Sequence, residues 1–404
     1  MRAANSKLKI LIYGEYFLPV VGGVQTSMNL LARGLVEWNL RPDRRNVESE
    51  ITVTVVIGTA ADGMDDSVFT YRVVRRPGFW RLASLIRDAD VIHIAGPCLL
   101  PMAISWLIGK PVVVEHHGYQ AICPNGLLFQ QPVERVCPGH FVRSDYGECL
   151  RCCSVTEGQA RGLRSLLLTF SRYWLSKRVA ANIAITNYVA TRLALPRTQT
   201  VYYGIEVQDS NCTMEARPPL SRLRIAYVGR LVPEKGLPVL LQATKLLKNA
   251  GASFEVELIG DGPARSGLEK LAETLDVKDL VQFTGDLRDS DLDQAVRSVA
   301  VVVMPSVWEE TAGLSAIEHM MRGRVVIAAD IGGLSEVVGE AGLKFAPGDS
   351  QALAACVWKV IDNPTLAISL GLMARERAAR LFKLRSMIDG HVSLYRAVGL
   401  GEMQ

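Results

Sequence analysis

Apolar positions along the chain follow two alternating rhythms. Residues 7–13 form a short apolar run closed by Gly14, which predicts a buried strand. Thr26 to Trp38 then carries Met28, Leu31, Leu35 and Trp38 at helical spacing. Residues 51–57 are rich in β-branched side chains and predict a second strand. Residues 91–94 and 112–114 predict two more buried strands, with a helix over 99–108 between them. Strand, helix and strand at this spacing imply a parallel sheet with helices on its faces. A helix over 163–179 and strands over 183–186 and 201–203 complete this half.

Two segments break the rhythm. Residues 123–154 show no period, hold several Gly and Pro, and contain Cys123, Cys137, Cys149, Cys152 and Cys153; they read as an irregular insertion. Residues 206–221 are polar and carry Pro218 and Pro219, a linker pattern. Beyond it the rhythm restarts, with strands over 223–228, 254–259, 281–283, 299–304 and 325–328. Helices over 237–249, 264–275, 292–298 and 314–322 alternate with them. The expected fold is α/β, two doubly wound parallel-sheet (Rossmann-like) domains. The domains are residues 1–205, with the Cys-rich insertion at about 123–154, and residues 222–380. A tail, 381–404, is expected to be helical and to pack back on the first domain.

The chain has 404 residues, 49% hydrophobic and 21% charged, a globular composition large enough for two or three domains. No run of about 18 uncharged apolar residues occurs, so no transmembrane helix is expected. The start is polar and basic, and the apolar run after it is too short for a signal sequence, which points to a cytoplasmic location. Charge changes the picture more. Residues 1–205 hold 23 Lys and Arg against 15 Asp and Glu, a net of +8, and the remainder holds 22 against 26, a net of −4. A basic first half suits an anionic partner such as lipid headgroups or a lipid phosphate; an asymmetry without functional meaning is the alternative. The basic residues are dispersed and not interleaved with aromatics, which argues against nucleic acid.

Open α/β sheets bind ligands beyond the carboxyl ends of their strands, so the residues just after each strand are the informative ones. After 223–228 comes Gly229-Arg230-Leu231-Val232-Pro233-Glu234-Lys235-Gly236. The Arg230 fork and the Lys235 ammonium both suit phosphate oxygens; a solvated pair of surface charges is the other reading. After 254–259 comes Gly260-Asp261-Gly262-Pro263, where glycine allows close backbone approach. After 299–304 comes Pro305-Ser306-Val307-Trp308-Glu309-Glu310-Thr311-Ala312-Gly313-Leu314, entering a helix that carries Glu318. The free N–H groups of Thr311, Ala312, Gly313 and Leu314 would favour an anion such as a diphosphate. Glu310 and Glu318 could accept hydrogen bonds from sugar and ribose hydroxyls; a capping acid and an exposed helix glutamate are the plainer alternatives.

These residues resemble a known family. Gly229-Arg230 with Lys235-Gly236, Glu310 and Glu318 separated by seven residues, and Gly332-Gly333-Leu334 with Glu336-Val337 are similar to the family 4 retaining glycosyltransferases (glycosyl transferases group 1, GT-B fold). Gly22-Gly23-Val24 resembles the N-terminal glycine loop of that family, and His117-Gly118 its His-Asp or His-Gly position. The resemblance spans nearly the whole chain. It implies that Arg230 and Lys235 clamp a donor diphosphate, Glu318 holds the ribose, Glu310 contacts the transferred sugar, and His117 sits near the reacting centre. Gly22, Gly23, Gly262, Thr311, Ala312, Gly313 and Leu314 would complete the donor site. It further implies a cleft between the two domains and same-face transfer, with the departing phosphate held on protein cations and no divalent metal required. A satisfied buried histidine is the alternative for His117. The family usually has Gly-Phe-Gly after the first glutamate; Thr311-Ala312-Gly313 departs from it and implies a roomier pocket.

Cys149 and Cys152 form a Cys-x-x-Cys pair with Cys123 and Cys137 upstream, a set that could hold a structural zinc or remain reduced thiols. The helix over 163–179 combines Leu166-Leu167-Leu168 with Arg164, Arg172, Lys177 and Arg178, which suits either a membrane surface or a core helix with a solvated basic face. The expected function is transfer of a hexosyl group, with retention, from a nucleotide-sugar donor to a glycan or lipid-linked acceptor in polysaccharide synthesis. The location would be the cytoplasm or the inner face of the membrane. Rival readings are an epimerase or hydrolase of the same fold, and a non-catalytic sugar-nucleotide-binding protein.

Overall fold

Parallel strands covered on both faces read as unbroken apolar runs, and the computed structural model places such runs at the centre of two sheets. It describes residues 7–19, 22–41, 50–60, 65–206 and 223–399. The expected linker lies outside the described residues from position 207 on.

The chain runs β1 (Leu8–Gly14), α1 (Gly23–Trp38), β2 (Ile51–Ile57), β3 (Arg72–Arg75), α2 (Phe79–Asp88), β4 (Val91–Ala95), α3 (Leu99–Ile108) and β5 (Val112–His116). Two-residue strands β6 (Phe129–Gln130) and β7 (Arg135–Val136) precede α4 (Tyr146–Glu157), α5 (Gln159–Ser176), β8 (Ala181–Ala184), α6 (Asn187–Leu193) and β9 (Thr198–Thr200). After the linker come β10 (Leu223–Val228), α7 (Leu237–Asn249), β11 (Phe254–Ile259), α8 (Arg265–Thr274), β12 (Val281–Gly285) and α9 (Asp289–Arg297). Then follow β13 (Val301–Met304), α10 (Leu314–Met321), β14 (Val325–Ala329), α11 (Gly332–Val338), β15 (Leu343–Phe345), α12 (Ser350–Asp362), α13 (Pro364–Leu381) and α14 (Leu384–Gly399).

Two compact units result. The first holds the described residues up to Pro132, Cys137–Glu206 and those from Phe382 on; the second holds Val133–Val136 and Leu223–Leu381. The first sheet has the order β3-β2-β1-β4-β5-β8-β9 and the second β12-β11-β10-β13-β14-β15, parallel throughout. In each sheet the winding reverses beside the first strand, at β1/β4 and at β10/β13. That is the point where an α/β sheet opens a crevice beyond its strand ends.

The last helix belongs to the first unit. Met387, Ile388, Val392, Leu394, Tyr395 and Val398 of α14 are buried in the same cluster as Ile10, Ile12, Leu31 and Val55. Each such side chain contributes about 1.5–3 kcal/mol by leaving water. Gly34 lets α1 approach, since a β-carbon there would stand 2.5 Å from Ile388 Cδ1. At the helix ends Trp38 Nε1 donates to Asp389 at 3.2 Å.

Several expectations shift. The strands expected over 183–186 and 201–203 lie at β8 and β9 instead; β8 stops at Ala184, and Thr186 caps α6 by accepting from the Val189 N–H. The helix expected over 163–179 is α5, which begins at Gln159 and ends at Ser176. The insertion expected to be irregular contains α4. There Cys149, Cys152 and Cys153, at helical spacing, are all buried and act as the apolar face.

Candidate active site

The second sheet reverses between β10 and β13, and the loops leaving these two strands carry most of the predicted donor residues. The loop after β10 is held from below by Tyr227, whose hydroxyl donates to the Arg230 carbonyl at 2.8 Å. Sideways, the Leu231 N–H donates to the Asp261 carbonyl, and the Ala264 N–H to that of Leu231. Gly262 fits beneath this pair with its N–H on the Asp261 carboxylate at 2.7 Å. Across the reversal, the Val307 N–H donates to the Glu234 carbonyl at 3.0 Å. Gly236 sits at φ +67°, where any β-carbon would collide with the Pro305 carbonyl oxygen. The two loops are therefore stitched together, with Lys235 and Glu310 side by side.

Lys235 Nζ lies 2.8 Å from Glu310 Oε1. Ser306 donates its hydroxyl to the same oxygen, and the ammonium stands 5.6 Å from the Trp308 ring centre. Glu310 is only 3% exposed. Its backbone is gripped by the start of α11, where the Gly333 N–H donates to the Glu310 carbonyl at 2.6 Å. Gly332, at φ +64°, leaves no room for a β-carbon, which would stand 2.6 Å from the Glu310 carbonyl oxygen. Arg230 is exposed at the loop tip.

Thr311 and Ala312 are buried, and Gly313 (φ +80°) is the N-cap of α10, which has no side-chain cap. The Ala312 methyl is 1% exposed, so it opens no surface of its own. Leu314 begins the helix, and Glu318 lies one turn inside. Its carboxylate accepts no hydrogen bond among the described residues; burial raises its pKa, and nearby Arg322 only partly counters this. Two buried polar atoms of this segment have no hydrogen-bond partner among the described residues, Trp308 Nε1 and Ser315 Oγ. Sequence reasoning gave no role to Ser306, Trp308 or Ser315. Ser315, just after the glycine cap, is the one whose position could have signalled it.

Gly22, Gly23 and His117 belong to the first unit. Gly22 caps α1 at the carboxyl end of β1, and its carbonyl accepts from the Thr26 N–H. His117 follows β5 with both ring nitrogens facing protein. Nδ1 is 2.7 Å from the Tyr203 hydroxyl, on whose ring it stacks at 10°, and Nε2 is 3.4 Å from Glu115 Oε2. Burial lowers the His117 pKa, although Glu115 acts in the other direction. Burial alone would raise the Glu115 carboxyl, but His117, His391 and His93 together pull it well below the usual range.

Cys123, Cys137, Cys149 and Cys152 line one cavity of about 20 Å³, joined by the adjacent Cys153 and by His140, to which the sequence reading gave no role. The seven described cysteines are all free of disulfides. The Cys152 sulfur accepts from the Gln131 N–H at 3.2 Å and from Asn125 Nδ2 at 3.4 Å. Contact with Cys153 and these N–H groups lower its pKa to about 6 against the opposing effect of burial.

Among proteins of known sequence, the model of the family "Glycosyl transferases group 1" matches residues 215–377. Alpha-D-kanosaminyltransferase of Streptomyces kanamyceticus is 30% identical over 314 residues, 74% of this chain and 74% of that one. The chain spans 60% of the length of 2-deoxystreptamine glucosyltransferase of Streptomyces kanamyceticus and 42% of that of MMP alpha-(1->4)-mannosyltransferase of Mycolicibacterium hassiacum. Sucrose-phosphate synthase from Thermosynechococcus elongatus superposes with a TM-score of 0.72 at 19% identity, covering 98% of this chain and 100% of that one. Anabaena Alr3699/HepE, solved with UDP and glucose, gives 0.69 at 18% identity over 96% of this chain and 100% of that one. The likeness extends along the chain through both units, and the fold is GT-B.

Proposed function

That the chain belongs to the glycosyl transferases group 1 family is the premise from which we propose that it transfers a hexosyl group, with retention, from a nucleotide-sugar donor to a hydroxyl of a glycan or lipid-linked acceptor. The observation that carries this reading is the meeting of Lys235, Glu310 and the uncapped start of α10 at the β10/β13 reversal.

The diphosphate of the donor would lie on the N–H groups at the start of α10, where the helix favours negative charge. Lys235 spends one of its three N–H donors on Glu310 and keeps the others for phosphate oxygens; Arg230 would close from the loop tip. Glu318, half-buried and without a hydrogen-bond donor of its own, suits a pair of ribose hydroxyls. That HepE was solved with UDP supports a uridine nucleotide as the donor base.

Glu310 is tied by Lys235 and Ser306, which fits a fixed acceptor for sugar hydroxyls better than a free nucleophile. This favours same-face transfer. The acceptor oxygen bonds to the anomeric carbon as the bond to the diphosphate breaks, and the acceptor proton passes to the departing phosphate oxygen. Positioning and charge stabilisation supply the acceleration.

The first unit offers a surface suited to a lipid-linked acceptor. Trp106 and Leu107 at the end of α3 and Leu163, Leu167, Phe170 and Trp174 of α5 are exposed. The Trp106 and Trp174 rings meet edge to face at 5.3 Å. Arg178 lies 3.8 Å over Trp174 and Lys177 4.4 Å over Tyr173, with Arg161 and Arg164 exposed on the same helix. Aromatic and aliphatic groups bordered by cations fit an anionic bilayer surface. No single described helix is long and apolar enough to cross a membrane.

The experiment is a panel of UDP-sugars with membrane extract as acceptor, read by mass spectrometry of products. A glycosylated product that depends on Lys235 and Glu318 is expected. Release of free sugar at the same rate with and without acceptor would replace this reading with a hydrolase. Sedimentation with phosphatidylglycerol–phosphatidylethanolamine vesicles tests the surface, and Trp106→Ser with Trp174→Ser should abolish it.

A further inference from the structure

Beneath the sheet ends of the first unit lies a group of buried residues that the transfer reaction does not use. His93 on β4, Glu115 on β5 and His391 on α14 come together from three distant parts of the chain, and all are buried. His93 Nε2 is 3.2 Å from Glu115 Oε2, and His391 Nε2 is 3.7 Å from Glu115 Oε1. Neither nitrogen has a hydrogen-bond partner. Among the described residues, the ionic contacts of Glu115 come from histidines alone: these two and His117.

The other nitrogen of each ring decides what faces the carboxylate. His391 Nδ1 is 2.9 Å from the Met387 backbone carbonyl, which can only accept, so Nδ1 carries the hydrogen. In the neutral ring Nε2 then presents a lone pair to Glu115. A lone pair against a buried carboxylate is repulsive unless a proton or a metal cation lies between them. His93 Nδ1 is 2.9 Å from the Tyr395 hydroxyl, which can accept a hydrogen from it and so turn a second lone pair inward. Nδ1–H held by a backbone carbonyl or hydroxyl oxygen, leaving the Nε2 lone pair free for an ion, is how metal-binding histidines are oriented.

We propose that His93 Nε2, Glu115 and His391 Nε2 bind a divalent transition-metal ion of the zinc type. The three ligand atoms lie within 4.8 Å of one another. Tetrahedral zinc with bonds of about 2.0–2.1 Å sets neighbouring ligands roughly 3.3 Å apart, close to the two separations found. Two imidazoles and a carboxylate form a borderline ligand set that favours zinc over calcium or magnesium. The ion neutralises a carboxylate that no Lys or Arg reaches among the described residues, and it ties α14 to the centre of the first sheet.

The site is distinguished from the cysteine cavity by its ligands. Full-length protein is stripped with chelator and titrated with Co²⁺. Nitrogen and oxygen ligands give visible ligand-field bands without the near-ultraviolet thiolate charge-transfer bands of the cysteines. His391→Gln and Glu115→Gln should lose these bands and one equivalent of metal, while any thiolate bands persist. Unchanged metal content and spectrum in both variants would overturn the assignment. If the variants do not fold, X-ray absorption on metal-loaded wild type decides: a sulfur-only shell, or no bound ion, refutes the site, and a nitrogen–oxygen shell supports it.

Discussion

Lys235 and Glu310, 75 positions apart, form a nearly buried ion pair of 2.8 Å across the reversal of the second sheet. One contact thereby joins the loop proposed to grip phosphate to the residue proposed to meet the sugar. Lys235→Ala leaves a carboxylate with Ser306 as its remaining side-chain partner, and breaking a buried pair this way costs about 3 kcal/mol. Adding Glu310→Gln removes the stranded charge. The double variant should therefore recover much of the lost thermal stability but none of the turnover. Calorimetry and steady-state kinetics on the four proteins check this; recovery of both together would reduce the pair to a structural strut.

Glu318 should behave in the opposite way. Its carboxylate is desolvated and accepts no hydrogen bond, so burial raises its folded pKa above the unfolded value. Such a group favours the folded state at low pH. Its contribution falls as pH rises through the unfolded pKa and levels off above the folded one. Glu318→Gln is expected to keep or raise the melting temperature while weakening UDP binding about tenfold. Donor hydroxyls need the ionised form, so wild-type UDP affinity should decline as pH is lowered toward the raised pKa. Calorimetric titration should show that decline absent in the variant.

How much of this was legible beforehand depended on whether a residue's partner is near in sequence. The valine-rich strands β5, β13 and β14 are unbroken apolar runs, and both sheets follow from them. β9 is Thr-Gln-Thr on a sheet edge and has no apolar signature; the apolar residues just after it include Tyr203, which stacks on His117. α4 was hidden because its cysteines were weighed as ligands when they also serve as its hydrophobic face. α11 opens with two glycines, poor helix formers, and what they do shows only where the Glu310 backbone lies against them. Arg230, Lys235, Glu310 and Glu318 were visible because strand ends carry chemistry. The Lys235–Glu310 pair and the meeting of positions 93, 115 and 391 were not, because only tertiary structure brings them within reach.

Gly332 tests whether the position of Glu310 is set by backbone packing. A β-carbon there would stand 2.6–2.8 Å from Glu310 and Glu309 backbone atoms, at a left-handed φ of +64°. Gly332→Ala carries strain of about 1–3 kcal/mol and must push Glu310 outward. The expected result is a lower melting temperature and a loss of turnover larger than the loss of UDP affinity, since the proposed phosphate site at α10 is not displaced directly. Equal losses of both, measured by kinetics and calorimetric titration, would place the damage elsewhere.

The cysteine cavity yields the last prediction. Five cysteines and His140 line a space of about 20 Å³, large enough for one small ion or water and too small for a substrate. Cys152 already accepts two N–H groups and has its pKa lowered to about 6, so it is readily the thiolate that zinc requires. Cys149, pushed up to about 12 by burial, would ionise only with a cation beside it. If zinc fills the cavity, its binding energy is part of the folding energy of this segment. Chelation should then lower the melting temperature, and Cys149→Ser should reproduce that loss in untreated protein. Because metal binding releases protons, the effect of chelation should shrink as pH is lowered through the Cys152 value, where competition from protons already weakens the site. Unchanged melting after chelation, together with quantitative titration of the thiols by a disulfide reagent only on unfolding, would identify these residues as a packed reduced core.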